Sequence, residues 1–384
     1  MKSLLTLSLV IYFSFATYAQ SGMQRFLVAE YRIDSLQVGN YTYLTSYNFK
    51  NGKFIGKDTL LQQPKFRAED KTMRINYNVA DKVYKNKYLL TKYGGNVIDL
   101  KTRKILYKLE DVFIEALGDT LIYYCNSSLR GTGYRWLNLK TGAYTKIEDK
   151  SWYTPRYSSI SPDKKHFLSV DRSAKSYKLL LNDFKGSSKV VVKDGKSGAL
   201  SKNMTQLPSI ESYWLNNDEF LYAVHHIRVT KPDIIHYKVE LRKYKLSDSS
   251  DRLTYTLDSI PQGYRNGYFH KTEIGEVYYT AVSGQSYLLD TLRLTLSAIK
   301  EFKLAHGFSV IYGKEDLFKY KGKEIGLKNV GESRTAEGLL AARFGGYIGD
   351  PKGYLGVMFW SAKTKEWLSF DIPWINTIIG WWEE

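Results

Sequence analysis

One turn recurs four times in the first half of this chain, each time between two strand-like runs. It reads Asn48-Phe49-Lys50-Asn51-Gly52, Asp99-Leu100-Lys101-Thr102-Arg103, Asn138-Leu139-Lys140-Thr141-Gly142 and Asn182-Asp183-Phe184-Lys185-Gly186. A looser copy, Ser361-Ala362-Lys363-Thr364-Lys365, appears near the C-terminus. Asn or Asp at the first position can cap the turn through its side chain, and glycine supplies a positive φ. The four starts are 51, 39 and 44 residues apart. A period of about 40–50 residues is that of a four-stranded propeller blade.

The runs between the turns are β-rich. Residues 25–33, 40–49, 121–124, 178–181, 190–192, 276–280 and 354–359 are dominated by β-branched and aromatic side chains and bounded by turn residues. Short strands at regular spacing predict a sandwich, barrel or propeller. The 32 tyrosines also suit strands better than helices. The best helical stretch, 333–344, reads equally as a strand between glycines, and the strand reading is preferred. Residues 194–207, rich in Gly, Ser and Lys, are expected to form a long loop inside the repeating pattern.

Residues 1–19 read as an export signal. Lys2 precedes an apolar run from Leu4 to Phe15, and Thr17-Tyr18-Ala19 offers small residues where a signal peptidase reads. The run is shorter than the roughly 20 residues of a spanning helix. Cleavage after Ala19 would leave 365 residues, 20–384, as one β-propeller domain. The single cysteine, Cys125, permits no internal disulfide and lies far from the signal. An exported chain of this size without disulfides suits a bacterial periplasm or cell surface.

The formal charge of +17 favours acidic partners such as anionic glycans, lipopolysaccharide or nucleic acid. The cations are scattered, with no long basic block and no recognisable nucleic-acid module, so nucleic acid is disfavoured. Lysines guarding exposed strand edges are the bland explanation of the charge.

The segment Ile160-Ser161-Pro162-Asp163-Lys164-Lys165-His166-Phe167-Leu168-Ser169-Val170 resembles the Ser-Pro-Asp-Gly-Lys signature of the PD40, or TolB-like (WD40-like), propeller repeat. That repeat also builds the propeller of dipeptidyl-peptidase-IV-like enzymes. Pro162 presets φ for the turn and Asp163 caps it. Lys164 stands where the repeat has glycine, which implies strain or a different turn. A second echo spans residues 212–224, where Trp214 ends one strand and Asn216-Asn217-Asp218 turns into the next. Ser161, Pro162, Asp163, Trp214 and Asp218 are therefore the expected structural motif residues. The resemblance implies a propeller; it does not imply a hydrolase domain.

Motifs that would carry chemistry are sparse. His225, His226, His236 and Asp233 could supply metal ligands, but neighbouring residues on a strand face opposite ways and a fourth ligand is not evident. There is no Gly-x-Ser-x-Gly elbow. The glycine-rich stretch 345–353 lacks the Gly-Lys-Ser/Thr ending of a phosphate loop and contains β-turn chemistry at Asp350-Pro351-Lys352-Gly353. Asp248-Ser249-Ser250-Asp251 reads as a solvated turn rather than a calcium loop. Trp136, Trp152, Trp214, Trp374, Trp381 and Trp382 could stack on sugars, or pack between blades.

The sequence thus predicts an all-β chain forming a single β-propeller of six to eight four-stranded blades, with seven favoured. The closing blade is expected to combine residues 25–33 with the run 366–381. The expected role is a non-catalytic binding or scaffold module for a glycan or protein partner, anionic or not, at the bacterial envelope. The alternative is a propeller enzyme cleaving polysaccharide with paired carboxylates. No cofactor or metal is expected, and no catalytic residue is assigned. A transmembrane barrel is disfavoured, because clear lipid-facing alternation of about ten residues is missing.

Overall fold

The computed structural model describes residues 22–34, 39–63, 80–91, 96–109, 111–125, 133–148, 160–173, 176–183, 187–196, 205–208, 212–230, 233–258, 268–272, 274–280, 285–312, 315–328, 330–344, 356–372 and 375–383. Their fold is an all-β propeller of eight antiparallel blades. That count lies in the expected range and is one more than the favoured seven. At a period of about 40–50 residues the chain is long enough for eight blades.

Blade 1 joins Ile375–Glu383 to Met23–Asp34, Gly39–Lys50 and Lys53–Gln63. Blade 2 contains Ala80–Tyr84, Tyr88–Thr91, Asn96–Asp99 and Lys104–Lys108. Blade 3 contains Val112–Leu117, Thr120–Cys125, Gly133–Asn138 and Tyr144–Glu148. In blade 4 the first strand shrinks to a bridge between Ile160 and Phe167, followed by His166–Ser173, Ser176–Asp183 and Ser188–Lys196. In blade 5 the first position is split between Thr205–Pro208 and Tyr213–Trp214, both paired with Glu219–Thr230. Asp233–Lys245 and Asp251–Asp258 complete it.

Blade 6 contains Tyr268–Lys271, Val277–Thr280, Ser286–Asp290 and Thr295–Ala298. Blade 7 contains Glu301–Lys303, Phe308–Ile311, Asp316–Tyr320 and Lys323–Lys328. Blade 8 contains Val330–Ala336, Leu339–Phe344, Gly356–Ser361 and Trp367–Asp371. The chain divides into two compact units, residues 1–110 with 305–384, and residues 111–304.

The recurring turn of the sequence occupies one topological position, the hairpin between third and fourth strands. Asp99 Oδ1 accepts the Thr102 N–H at 2.7 Å, and Arg103 closes the turn at φ 59°. Asn138 Oδ1 accepts from Lys140 and Thr141, and Gly142 closes at φ 69°. The Ser361 hydroxyl and carbonyl do the same for Lys363 and Lys365. A copy unread in the sequence, Asp290 to Leu294, has the same capping, with leucine at φ 58° in the glycine place.

Two expected turns differ. Asn48 does not cap: its amide donates to Asp58 Oδ2 at 2.7 Å within the sheet, and Asn51-Gly52 form the two-residue hairpin turn. In blade 4 the cap is Asp183, which accepts from Ser187, while Asn182 is buried in the sheet. Where first and second strands follow each other in the chain, the hairpin between them sits at that same end of the blade. In blades 2, 3, 5, 7 and 8 the two turns are stitched by one backbone hydrogen bond of 2.8–2.9 Å, as from Leu100 to the Lys87 carbonyl.

The inner strands spend both faces on packing. In the first unit Phe26 and Val28 join Phe359, Ala341 and Val357 of blade 8. The intervening Leu27 and Ala29 join Leu89 and Ile98 of blade 2. In the second unit Phe220, Tyr222 and Val224 pack on Leu168 and Leu179 of blade 4, and Leu221 and Ala223 on Val277 and Tyr279 of blade 6. The core is therefore a series of layers between blades. This explains why inner strands read as nearly continuous apolar runs: two buried faces leave no polar alternation.

Closure of blade 1 follows the expected pairing of termini, with a shifted boundary. Ile375–Glu383 pairs with Met23–Asp34, whereas Trp367–Asp371 belongs to blade 8. Phe26 packs on Trp381 at 5.0 Å and on Phe359 at 5.4 Å, so aromatic contacts fasten the seam. Asn86 donates to the Glu383 carbonyl and accepts the Glu383 N–H, each at 2.7 Å, holding the terminal strand as a peptide partner would.

Both ends of the stretch 194–207 belong to strands rather than to the expected loop, and residues 197–204 lie outside the described residues. Strands run through Lys196 and restart at Thr205, because pairing with neighbours outweighs the local Gly and Ser content. Residues 333–344 form two strands turning at Gly338.

Candidate functional site

The two motif segments lie at the first-to-second hairpins of consecutive blades. Ser161 Oγ donates to Asp163 Oδ1 at 2.7 Å and accepts the His166 N–H at 2.9 Å. Asp163 Oδ1 also accepts the Lys165 N–H. Burial opposes ionisation of Asp163, but these donors hold its carboxyl below the usual range. Pro162 is exposed on the turn. Lys164 takes φ 62°, the conformation for which glycine is suited, and its Nζ reaches Thr120 Oγ1 at 3.0 Å.

In blade 5, Trp214 is buried against Phe220 at 5.1 Å. Asn216 Oδ1 accepts from the Asp218 and Glu219 backbone. Asp218 then spans to the outer hairpin, accepting the Ser247 N–H at 2.8 Å and its hydroxyl at 2.9 Å. Ser161, Asp163 and Asp218 hydrogen-bond within or between turns, and Trp214 packs on the second strand of its blade.

The principal polar cluster among the described residues crosses blade 5. Along the third strand Lys238, Glu240 and Arg242 alternate with the buried Val239 and Leu241, so the charged set shares one face. Glu240 receives Lys238 Nζ at 2.9 Å and an Arg242 nitrogen at 3.2 Å, and His226 Nε2 lies 3.2 Å from its Oε1. Arg242 continues to Asp251 on the fourth strand at 3.1 Å. Tyr222, opposite Arg242 in register, contributes a buried phenol beside Asp251.

The electrostatics of this ladder are mutually consistent. Burial pushes the His226 pKa down against the pull of Glu240, leaving the imidazole neutral near pH 7. Burial opposes the Glu240 charge, but Lys238, with Arg242, holds its carboxyl below the ordinary range. Burial works against the Arg242 cation too, and Asp251 more than compensates. Burial and then Asp251 push the Tyr222 phenol up. Two cations face two carboxylates around a neutral imidazole. The sequence signal was present in the alternation Lys238-Val239-Glu240-Leu241-Arg242, but the partners came from three strands.

His236 stands opposite Ile227 in register rather than opposite His226, which pairs with Lys238. No three His, Cys, Asp or Glu side chains converge among the described residues. At the blade 5 outer hairpin, Asp248 accepts the Ser250 N–H at 2.9 Å, as a turn cap. Trp152, Trp374 and the stretch 345–353 lie outside the described residues. Trp136 packs against the buried cluster of blades 3 and 4, and Trp382 is buried between blades 1 and 2.

No protein-family profile and no curated protein matches the chain. Solved structures align with it at low identity. A eukaryotic initiation factor covers 95% of this chain and 98% of its own, with 11% identity and a TM-score of 0.45. An oligogalacturonate lyase from Vibrio parahaemolyticus covers 92% and 86%, with 10% identity and a TM-score of 0.39. TolB from Acinetobacter baumannii covers 93% and 82%, with 11% identity and a TM-score of 0.34. At these values the propeller assignment rests on the chain's own strand topology. Among the described residues no helix is long and apolar enough to cross a membrane.

Proposed function

We propose that this protein is an exported, non-catalytic propeller of the TolB-like kind, serving as a binding or scaffold module at a bacterial envelope. The observation behind this reading is how its carboxylates are used. Asp99, Asp163, Glu219, Glu240 and Asp290 are all held below the ordinary range by turn amides or cationic side chains. None of these five is therefore the proton-retaining acid that a polysaccharide-cleaving site needs near neutral pH. These groups instead secure hairpins and blade faces, as expected of a rigid platform. The partner in this reading is a glycan or protein, and the leader-like residues 1–19 carry the chain to the periplasm or cell surface.

The test is binding of residues 20–384 to arrays of acidic and neutral polysaccharides at low and high salt. Retention of one glycan at high salt without cleavage is the expected result for a glycan-binding module. Release of shortened sugars would overturn the non-catalytic role and favour a propeller enzyme. Failure to bind any glycan would direct the search to envelope proteins.

A further inference from the structure

We infer that the outer hairpins of blades 8 and 1 form an anion-binding site for an acidic polysaccharide. This deepens the proposed binding role and rests on it. The two turns touch. Ser361 Oγ donates to the Gly52 carbonyl at 2.6 Å, and a Cβ placed on Gly52 would lie 2.9 Å from Lys363 Cβ. The joined turns present Lys50, Lys53, Lys363 and Lys365, all exposed. No ion pair links any of them to a carboxylate among the described residues.

This arrangement is unfavourable without a partner. Lys50 and Lys53 stand directly opposite each other in the ladder, and like charges so placed destabilise a hairpin. The neighbouring lysines add to the repulsion, since contacting turns lie well within the screening distance of about 8 Å. A bound polyanion would relieve it.

Equivalent turns elsewhere serve as an internal control. Those of blades 3, 5 and 6 also carry cations, but each has a carboxylate: Lys140 with Asp119 at 2.9 Å, Lys245 with Asp248 at 3.9 Å, Arg293 with Asp290 at 4.0 Å. Solvating a turn therefore does not require unmatched charge in this fold. Blade 2, with Lys101, Arg103 and Lys104 exposed around its turn, and blade 7, with Lys321 and Lys323 flanking Gly322, also carry cations without an ion pair among the described residues, each on a single turn.

The ligand class follows from what the surface offers. Sequence-tolerant nucleic-acid binders combine positive charge with open aromatic faces for stacking. At the joined turns the rings flanking the blade 1 hairpin, Phe49 and Phe54, are packed on each other and on Phe359 and Phe370 rather than open. The surface thus reads repeated anionic groups rather than bases, which fits a carboxylated, sulfated or phosphorylated glycan.

The probes are dextran sulfate, neutral dextran and duplex DNA, titrated against the 20–384 protein over a salt series. Wild type should bind dextran sulfate and not neutral dextran. The variant K50Q/K53Q/K363Q/K365Q should lose about tenfold in affinity, with a shallower salt slope. A matched variant, K140Q/K165Q/K245Q/K300Q, should stay within about twofold of wild type. Equal losses in both variants, or none in the first, would overturn the site while leaving the binding role intact. Tighter binding of DNA than of dextran sulfate would overturn the ligand class. Failure to bind these probes or any arrayed glycan would sink the site and the glycan-binding role together.

Discussion

Lys164 offers a direct test of the motif turn, because its backbone and side chain act in opposite directions. At φ 62° its Cβ is strained, while its ammonium makes a hydrogen bond of 3.0 Å to Thr120. The left-handed conformation costs a residue with a Cβ about 1–2 kcal/mol. Glycine avoids that cost but loses roughly 0.5–1 kcal/mol of it through the greater freedom of its unfolded chain. Lys164→Gly should therefore be more stable than Lys164→Ala by about 0.5–1 kcal/mol. Both variants lose the Thr120 contact, worth about 0.5–1 kcal/mol. Alanine should consequently fall below wild type, and glycine should match it within about 0.5 kcal/mol. Urea unfolding followed by tryptophan fluorescence gives the comparison. Equal stability of the glycine and alanine variants, or the reverse order, would refute the strain argument.

Two further outcomes follow from the same structure. Because burial depresses the His226 pKa below its ordinary value of 6.5, its stabilising contribution is complete above that pH and is lost as pH falls through the unfolded value toward the folded one. Glu240, also depressed, adds a second loss as pH falls below its ordinary 4.5. His226→Gln should flatten the upper step of a melting-temperature profile and keep the lower; an unchanged upper step would contradict the assignment. Asn86→Gly removes two hydrogen bonds to Glu383, together about 1–2 kcal/mol, while preserving the left-handed backbone at Asn86. Amide exchange across Ile375–Glu383 should accelerate while Thr120–Cys125 stays protected, and unaltered exchange at the C-terminus would show that Asn86 does not latch the strand.

Much of the blade pattern was legible because a hairpin turn is a local event. Asp99 and Asn138 cap through atoms two or three residues away, so their chemistry is visible in a short window. Leu294 hid a further copy: the cap at Asp290 was readable, but glycine was not required where surrounding strands enforce the conformation. Asn48 misled for the opposite reason, since Asp58 on the next strand claimed its amide.

By itself the sequence determined the all-β class, the blade-like period and the joining of the two ends of the chain, because these depend on turn chemistry and strand propensity. The tertiary structure decided the eight blades, the partners of Glu240 and the contact between Gly52 and Lys363. Those depend on register and on blades far apart in sequence meeting face to face. Ser361 and Gly52 are 309 residues apart, and their hydrogen bond arises from blade packing, which no local pattern encodes.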